Sequence, residues 1–246
     1  MNFQLTVPLN TTAEQAVRLQ ALQTAFAEVC NALSPVVRDK RCWNRVTLHH
    51  LTYHPLRERF PHMGSQMICN AIYSVCRTSR QVYQHPASPF NITRRPDAPL
   101  PLIRFAPSAP VYFDRHTLSL KNDRLSMYTL DGRMRFDLAL KAEDQERFHR
   151  QKLREIVLTG VAQSYRLTFS FETTEATDED VEGEVDVADA TDATDTANIT
   201  NAAAASELPE YLLVLPEPPP ELSADALLQV PHSMNSQPSH VQAMHP

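Results

Sequence analysis

Four histidines, His49, His50, His54 and His62, are the densest cluster of potential ligands in the chain. His50 and His54 are four apart, so a helix would turn both to one side, as a zinc-binding pair requires. The general base of an H-E-x-x-H site is missing, because Leu51 stands in its place. Cys30, Cys42, Cys69 and Cys76 show neither a C-x-x-C pair nor zinc-ribbon spacing, and they read as small buried thiols. Only four glycines occur, which excludes the glycine-rich phosphate loops of Rossmann enzymes and P-loop NTPases. No G-x-S-x-G nucleophile elbow is present either. Asp178-Glu179-Asp180 reads as solvated charge, since ligands on a flexible chain bear the ordering entropy themselves. No catalytic residue, metal site or cofactor is expected.

The cationic residues carry more signal. All 23 Lys and Arg lie between Arg18 and Arg166, and 19 of them are Arg, whose planar fork matches phosphate best. Residues 1–172 hold 14 acidic residues and so carry a formal charge of +9. Residues 173–246 hold 15 acidic residues and no Lys or Arg. The net charge of −6 therefore averages a basic body with an acidic tail. Arg57, Arg59, Arg77 and Arg80 fall in predicted helices, and Arg115, Lys121, Arg124, Arg133 and Arg135 in predicted strands and turns. Tyr53, Tyr73, Tyr112 and Tyr128 supply rings on which bases could stack. Basic strands with interspersed aromatics are a nucleic-acid-binding pattern.

These residues need elements to place them. Phe3, Leu5, Val7 and Leu9 alternate as a half-buried strand does. Thr11 and Glu14 form a capping-box pattern, and Leu19, Leu22, Phe26, Val29 and Leu33 then mark a helix ending before Pro35. A short helix over Val46–Tyr53 should stop at Pro55, and Gly64-Ser65 should break and cap the next one, which runs to Tyr83. Seven prolines between Pro86 and Pro110 read as an extended connector. Val111–Phe113, His116–Leu120, Leu125–Leu130 and Met134–Leu140 follow as strands, with a turn at Lys121–Asp123 and a hairpin signal at Asp131-Gly132. Glu143–Leu153 is helix-prone, and Tyr165, Leu167, Phe169 and Phe171 alternate as a last strand. The fold class is α+β, and short antiparallel strands joined by hairpins suggest a small barrel or curled sheet. After Glu172 the composition predicts disorder, with Tyr211–Leu215 as one apolar island able to dock. No signal peptide or membrane-length apolar run is present, so the cytoplasm is the expected compartment and no membrane the expected partner.

Two stretches carry a resemblance. The first is Leu48-His-His-Leu-Thr-Tyr53-His-Pro-Leu-Arg57-Glu-Arg-Phe60-Pro61 with Ser65-Gln66 and Ala71-Ile-Tyr73. The second is Tyr112-Phe-Asp114-Arg-His-Thr-Leu118-Ser-Leu120 with Leu125–Arg133. Together they resemble the N-terminal half of TnpB-type (OrfB) proteins of insertion sequences, RNA-guided nucleases related to type V CRISPR effectors. The resemblance implies an oligonucleotide-binding-like wedge barrel from residues 1–10 and 100–172. Residues 11–95 would form a helical recognition lobe inserted after the first strand, and 173–246 a disordered acidic, Pro-rich tail. It implies binding of structured RNA, DNA or both. The family's RuvC-like carboxylates and zinc ribbon have no counterpart after Glu172, so no nuclease activity is expected of this chain alone. Two alternatives stay open: a regulatory protein whose acidic tail competes for the basic groove, and one half of a split nuclease partnered by a separately encoded half.

Overall fold

A computed structural model of the protein describes residues 3–121, 123–138, 140–162, 164–172 and 210–215. Strand β1 (Phe3–Pro8) leads into helix α1 (Ala13–Lys40). The capping box falls one residue later than the sequence pattern suggests. The Thr12 hydroxyl accepts from the Gln15 amide at 3.2 Å, and Gln15 Oε1 accepts from the Thr12 amide at 2.9 Å. Pro35 does not end α1, although it removes one helical donor. Leu33 and Val37 flank it and are each 1% exposed, so burial holds the last turn in place until Arg41 closes it in the left-handed region.

Helix α2 (Arg45–Arg59) is capped by Asn44, whose side chain accepts from the Thr47 amide at 3.0 Å. It likewise runs through Pro55, where Leu56 on the inward face is buried and Leu51, one turn back, is exposed. Helix α3 (Ser65–Tyr83) starts from Gly64, with no side-chain cap, rather than from Ser65. Gly64 permits a close approach instead: a Cβ there would sit 2.9 Å from the Tyr128 ring.

The strands after α3 are β2 (Leu102–Phe105), β3 (Val111–Phe113), β4 (Leu118–Lys121), β5 (Arg124–Thr129) and β6 (Gly132–Asp137). Helix α4 (Ala142–Arg150), β7 (Lys152–Thr159), β8 (Arg166–Glu172) and β9 (Tyr211–Val214) complete the order. They form three antiparallel sheets, ordered β1-β8-β7-β3, β2-β9 and β4-β5-β6. The fold is α+β, but among the described residues no sheet closes into the expected barrel. The reason lies after β3. Asp114 Oδ1 accepts from the amides of His116 and Thr117, both at 3.0 Å, and the Asp114 carbonyl accepts from Leu118 at 2.8 Å. This tight turn takes the chain out of the first sheet, and β4 opens a separate meander.

Strands β2 and β7 were not apparent in the sequence, the first hidden in the proline-rich stretch and the second behind the charged run preceding it. The β5–β6 hairpin tip is Leu130-Asp131, with Gly132 following at φ 108°, one residue earlier than the Asp-Gly signal indicated. One buried cluster joins the helices to the sheets: Leu19, Leu22 and Phe26 of α1, Ile68 and Val75 of α3, and Leu167, Phe169 and Phe171 of β8. The described residues, up to Leu215, belong to one compact unit. The expected disordered tail lies outside the described residues, except that the apolar island docks on β2 as β9. Among the described residues no helix is long and apolar enough to cross a membrane.

Candidate nucleic-acid interface

The β4-β5-β6 meander has two unlike faces, as strand alternation requires. Leu118, Leu125, Met127, Met134 and Phe136 point inward and are buried. The opposite positions are Ser119, Lys121, Arg124, Ser126, Tyr128, Arg133, Arg135 and Asp137. Lys121, Arg124, Arg133 and Arg135 are exposed there, and Asp137 is the single carboxylate among these eight.

The register sharpens this. Lys121 stands directly opposite Arg124, a like-charge cross-strand pair that repels. Arg124 Nε is 3.4 Å from Asp137 Oδ1, with both side chains well solvated, so this contact is weak. Arg133 is more firmly held. It donates to the Ser126 carbonyl at 3.1 Å and to the His116 carbonyl at 2.8 Å, which lays its guanidinium across the strands opposite Tyr128. Arg135 stands opposite Ser126, and its own carbonyl accepts from Gln15 at 3.4 Å. Arg115 is exposed in the β3–β4 turn.

The hairpin tip is anchored by α1. Arg18 donates to Asp131 Oδ1 through Nη2 at 2.7 Å and Nε at 3.0 Å, and to the Thr129 hydroxyl at 3.1 Å. The Arg18 hydrogen bonds, with help from Thr129, hold the Asp131 carboxyl below its usual value. The tip acid is thereby matched by a cation outside the sheet. Arg18 was not singled out from the sequence, because nothing local links it to a residue more than a hundred positions away.

The helical candidates occupy different surroundings. Arg57 donates to the Met63 carbonyl and ties the end of α2 to the following turn. Arg59 is exposed, with its guanidinium 5.3 Å from the centre of the Phe60 ring. Arg80 is half-buried near the end of α3. Tyr53 stacks on His49 at 4.7 Å between ring centres. Burial, with His50 and Arg45 nearby, pushes the His49 imidazole below its usual value. Among the described residues no three His, Cys, Asp or Glu gather as metal ligands. Cys30 and Cys76 are buried, and burial pushes the Cys76 thiol up to about 12, which keeps it protonated.

Arg77, Tyr73 and Tyr112 converge in a second cluster, on Glu155 of β7. Glu155 Oε1 accepts from Arg77 Nη1 at 2.5 Å and from the Tyr73 hydroxyl at 2.9 Å. The two tyrosine rings meet edge to face at 5.6 Å. Arg77 lies 5.6 Å from the Tyr112 ring centre, and Arg45 lies 5.4 Å from that of Tyr73. Burial works against the Arg77 charge, but Tyr112 and Glu155 outweigh it and hold the guanidinium above its usual value. Burial also pushes the Tyr112 phenol up. Glu155 escaped the sequence reading with its strand, although Ile156 and Leu158 beside it do alternate.

No protein-family model matches the chain, and no curated protein matches its sequence.

Proposed function

We propose that the outer face of the β4-β5-β6 sheet binds the phosphate backbone of a nucleic acid, structured RNA or DNA. One observation carries this reading: four exposed cations share that face with a single carboxylate, and two of them, Lys121 and Arg124, are paired across strands despite their repulsion. A polyanion relieves that repulsion. Lys121, Arg124 and Arg135 supply charge, Arg133 is pre-oriented by its carbonyl contacts, and Arg115 extends the surface at the adjoining turn. Tyr128 is half-buried against Gly64 and has only its exposed edge to offer an unpaired base. The resemblance of Leu48–Pro61, Tyr112–Leu120 and Leu125–Arg133 to the TnpB-type N-terminal region supports the same assignment. In this reading contacts go to phosphates rather than base edges, so affinity depends on salt more than on sequence.

Mobility shifts of the full chain with a labelled RNA hairpin and with single-stranded DNA test it. Four phosphate contacts predict a loss of affinity of about 50- to 150-fold between about 50 and 200 mM salt. Absence of binding at the lower salt, or binding indifferent to salt, would falsify the assignment.

A further inference from the structure

Strand β2 is bonded along both edges, and the two edges are filled differently. On one side the Asn31 side chain of α1 acts like a neighbouring strand. Its Oδ1 accepts from the Phe105 amide at 2.8 Å, and its Nδ2 donates to the Phe105 carbonyl at 3.0 Å. On the other side lies β9, separated from the rest of the described chain by residues 173–209. Its antiparallel register sets Arg104 against Leu212 and Leu102 against Val214, and the Ala106 amide donates to the Glu210 carbonyl at 3.0 Å.

This strand is lightly held. Tyr211 meets Phe105 at 6.5 Å between ring centres, and it packs against the core. Leu212, Val214 and Leu215 are 59%, 47% and 62% exposed, so much of an apolar segment remains in water. A two-stranded sheet is marginal in its own right, and segments with little burial open before the global fold does. The body side is the opposite: Ile103 and Phe105 are buried, and the Asn31 bonds to Phe105 involve no atom of β9. Burial pushes the Glu210 carboxyl, just before β9, above its usual value, and the Arg77 charge offsets this only in part.

We propose that the β9-bearing edge of β2 is a strand-addition site for an extended peptide reading aromatic, then aliphatic, and that Glu210–Leu215 is its resident, exchangeable ligand. Main-chain hydrogen bonds to Arg104 and Leu102 supply affinity, and alternate side chains supply selectivity. The aromatic residue sits on Phe105. The partner is a protein segment of that chemistry, which enters when the resident strand leaves. The site is independent of the Arg-rich sheet face, and its test involves no nucleic acid.

The experiment uses the full chain carrying Leu212→Pro, which removes the donor facing Arg104 and so disables the resident strand. A fluorescently labelled peptide with the sequence of residues 208–217 is titrated and followed by anisotropy. Saturable binding at least about tenfold tighter than to the wild-type chain is expected, because the wild-type site is filled from within at a high effective concentration. A scrambled peptide should bind neither chain. Failure of the native-order peptide to bind a variant that melts like wild type overturns the proposal, as does equal binding to both chains or by the scrambled peptide. If Leu212→Pro does not fold, Tyr211→Ala, which leaves the backbone donors intact, is titrated with the same expectations.

Discussion

Arginine and tyrosine occur together in two regions of this protein and do different work in each. On the β4-β5-β6 sheet, Arg124 and Arg135 stand exposed, with carboxylates few and weakly placed. Between α3 and β7, Arg77, Tyr73 and Tyr112 close on Glu155 with short hydrogen bonds and ring contacts. The residue types are identical, and only the carboxylate and the burial differ. A guanidinium that already has a half-buried carboxylate partner gains little from a phosphate, whereas one facing a like charge gains most. Composition therefore marks candidates, and the surroundings decide which of them are available to a ligand.

Substitution at the half-buried cluster should have the largest effect. Glu155→Leu leaves the Arg77 charge and the Tyr73 hydroxyl without their shared acceptor. A destabilisation of about 2 kcal/mol is expected in chemical denaturation, less than for a fully buried pair because Arg77 is 37% exposed. The affinity of the folded protein for RNA should not change. A variant as stable as wild type would erase the distinction between the two regions.

The converse experiment is Lys121→Gln with Arg124→Gln and Arg135→Gln. Stability should stay within about 0.5 kcal/mol, since these are solvated surface positions. RNA affinity at about 50 mM salt should fall by about 30-fold, and the logarithmic salt dependence should become shallower by about two. Unchanged affinity would show that the sheet face is merely a solvated surface.

Gly64→Ala probes how the helical part sets the sheet's ring. The added methyl would meet the tip of Tyr128 at 2.9 Å, so the ring must shift. About 1 kcal/mol of stability should be lost. A crystal structure of the variant should show Tyr128 displaced while β5 stays in register.

The smallest effect belongs to Asp131, at the exposed hairpin tip. Its carboxyl is held below its ordinary value of 3.8, so its ionised form favours the folded state. That contribution is fully present above the unfolded value and lost as pH falls through the lower folded one. Thermal melts of wild type and Asp131→Asn should therefore differ by a constant amount near neutral pH and converge below about pH 4. A difference that persists in acid would mean that the Arg18 contact does not depend on the carboxylate charge.

Periodicity along the chain is a local record of which side of an element faces the core, and here it was faithful. The alternation from Leu118 to Phe136 separates the buried residues from the cationic ones before any fold is known, because a strand's side chains must leave on opposite sides. The helical stripes of α1 and α3 follow from the same logic at their own period. The division of charge at Glu172 and the apolar run Tyr211–Leu215 are likewise visible in the sequence. What the sequence left open depends on residues brought together from far apart. Pro35 and Pro55 look like helix stops, and only packing of the flanking Val37 and Leu56 against the core outweighs the lost hydrogen bonds. β3 could have continued into a barrel, but it pairs with β7 across more than forty residues. Arg77 and Arg135 are alike in sequence, and Glu155, 78 residues from Arg77, engages only the first. Pairings of this kind are settled by the whole core at once. Local pattern fixes which face of each strand is buried, and the tertiary structure alone decides which charges remain exposed.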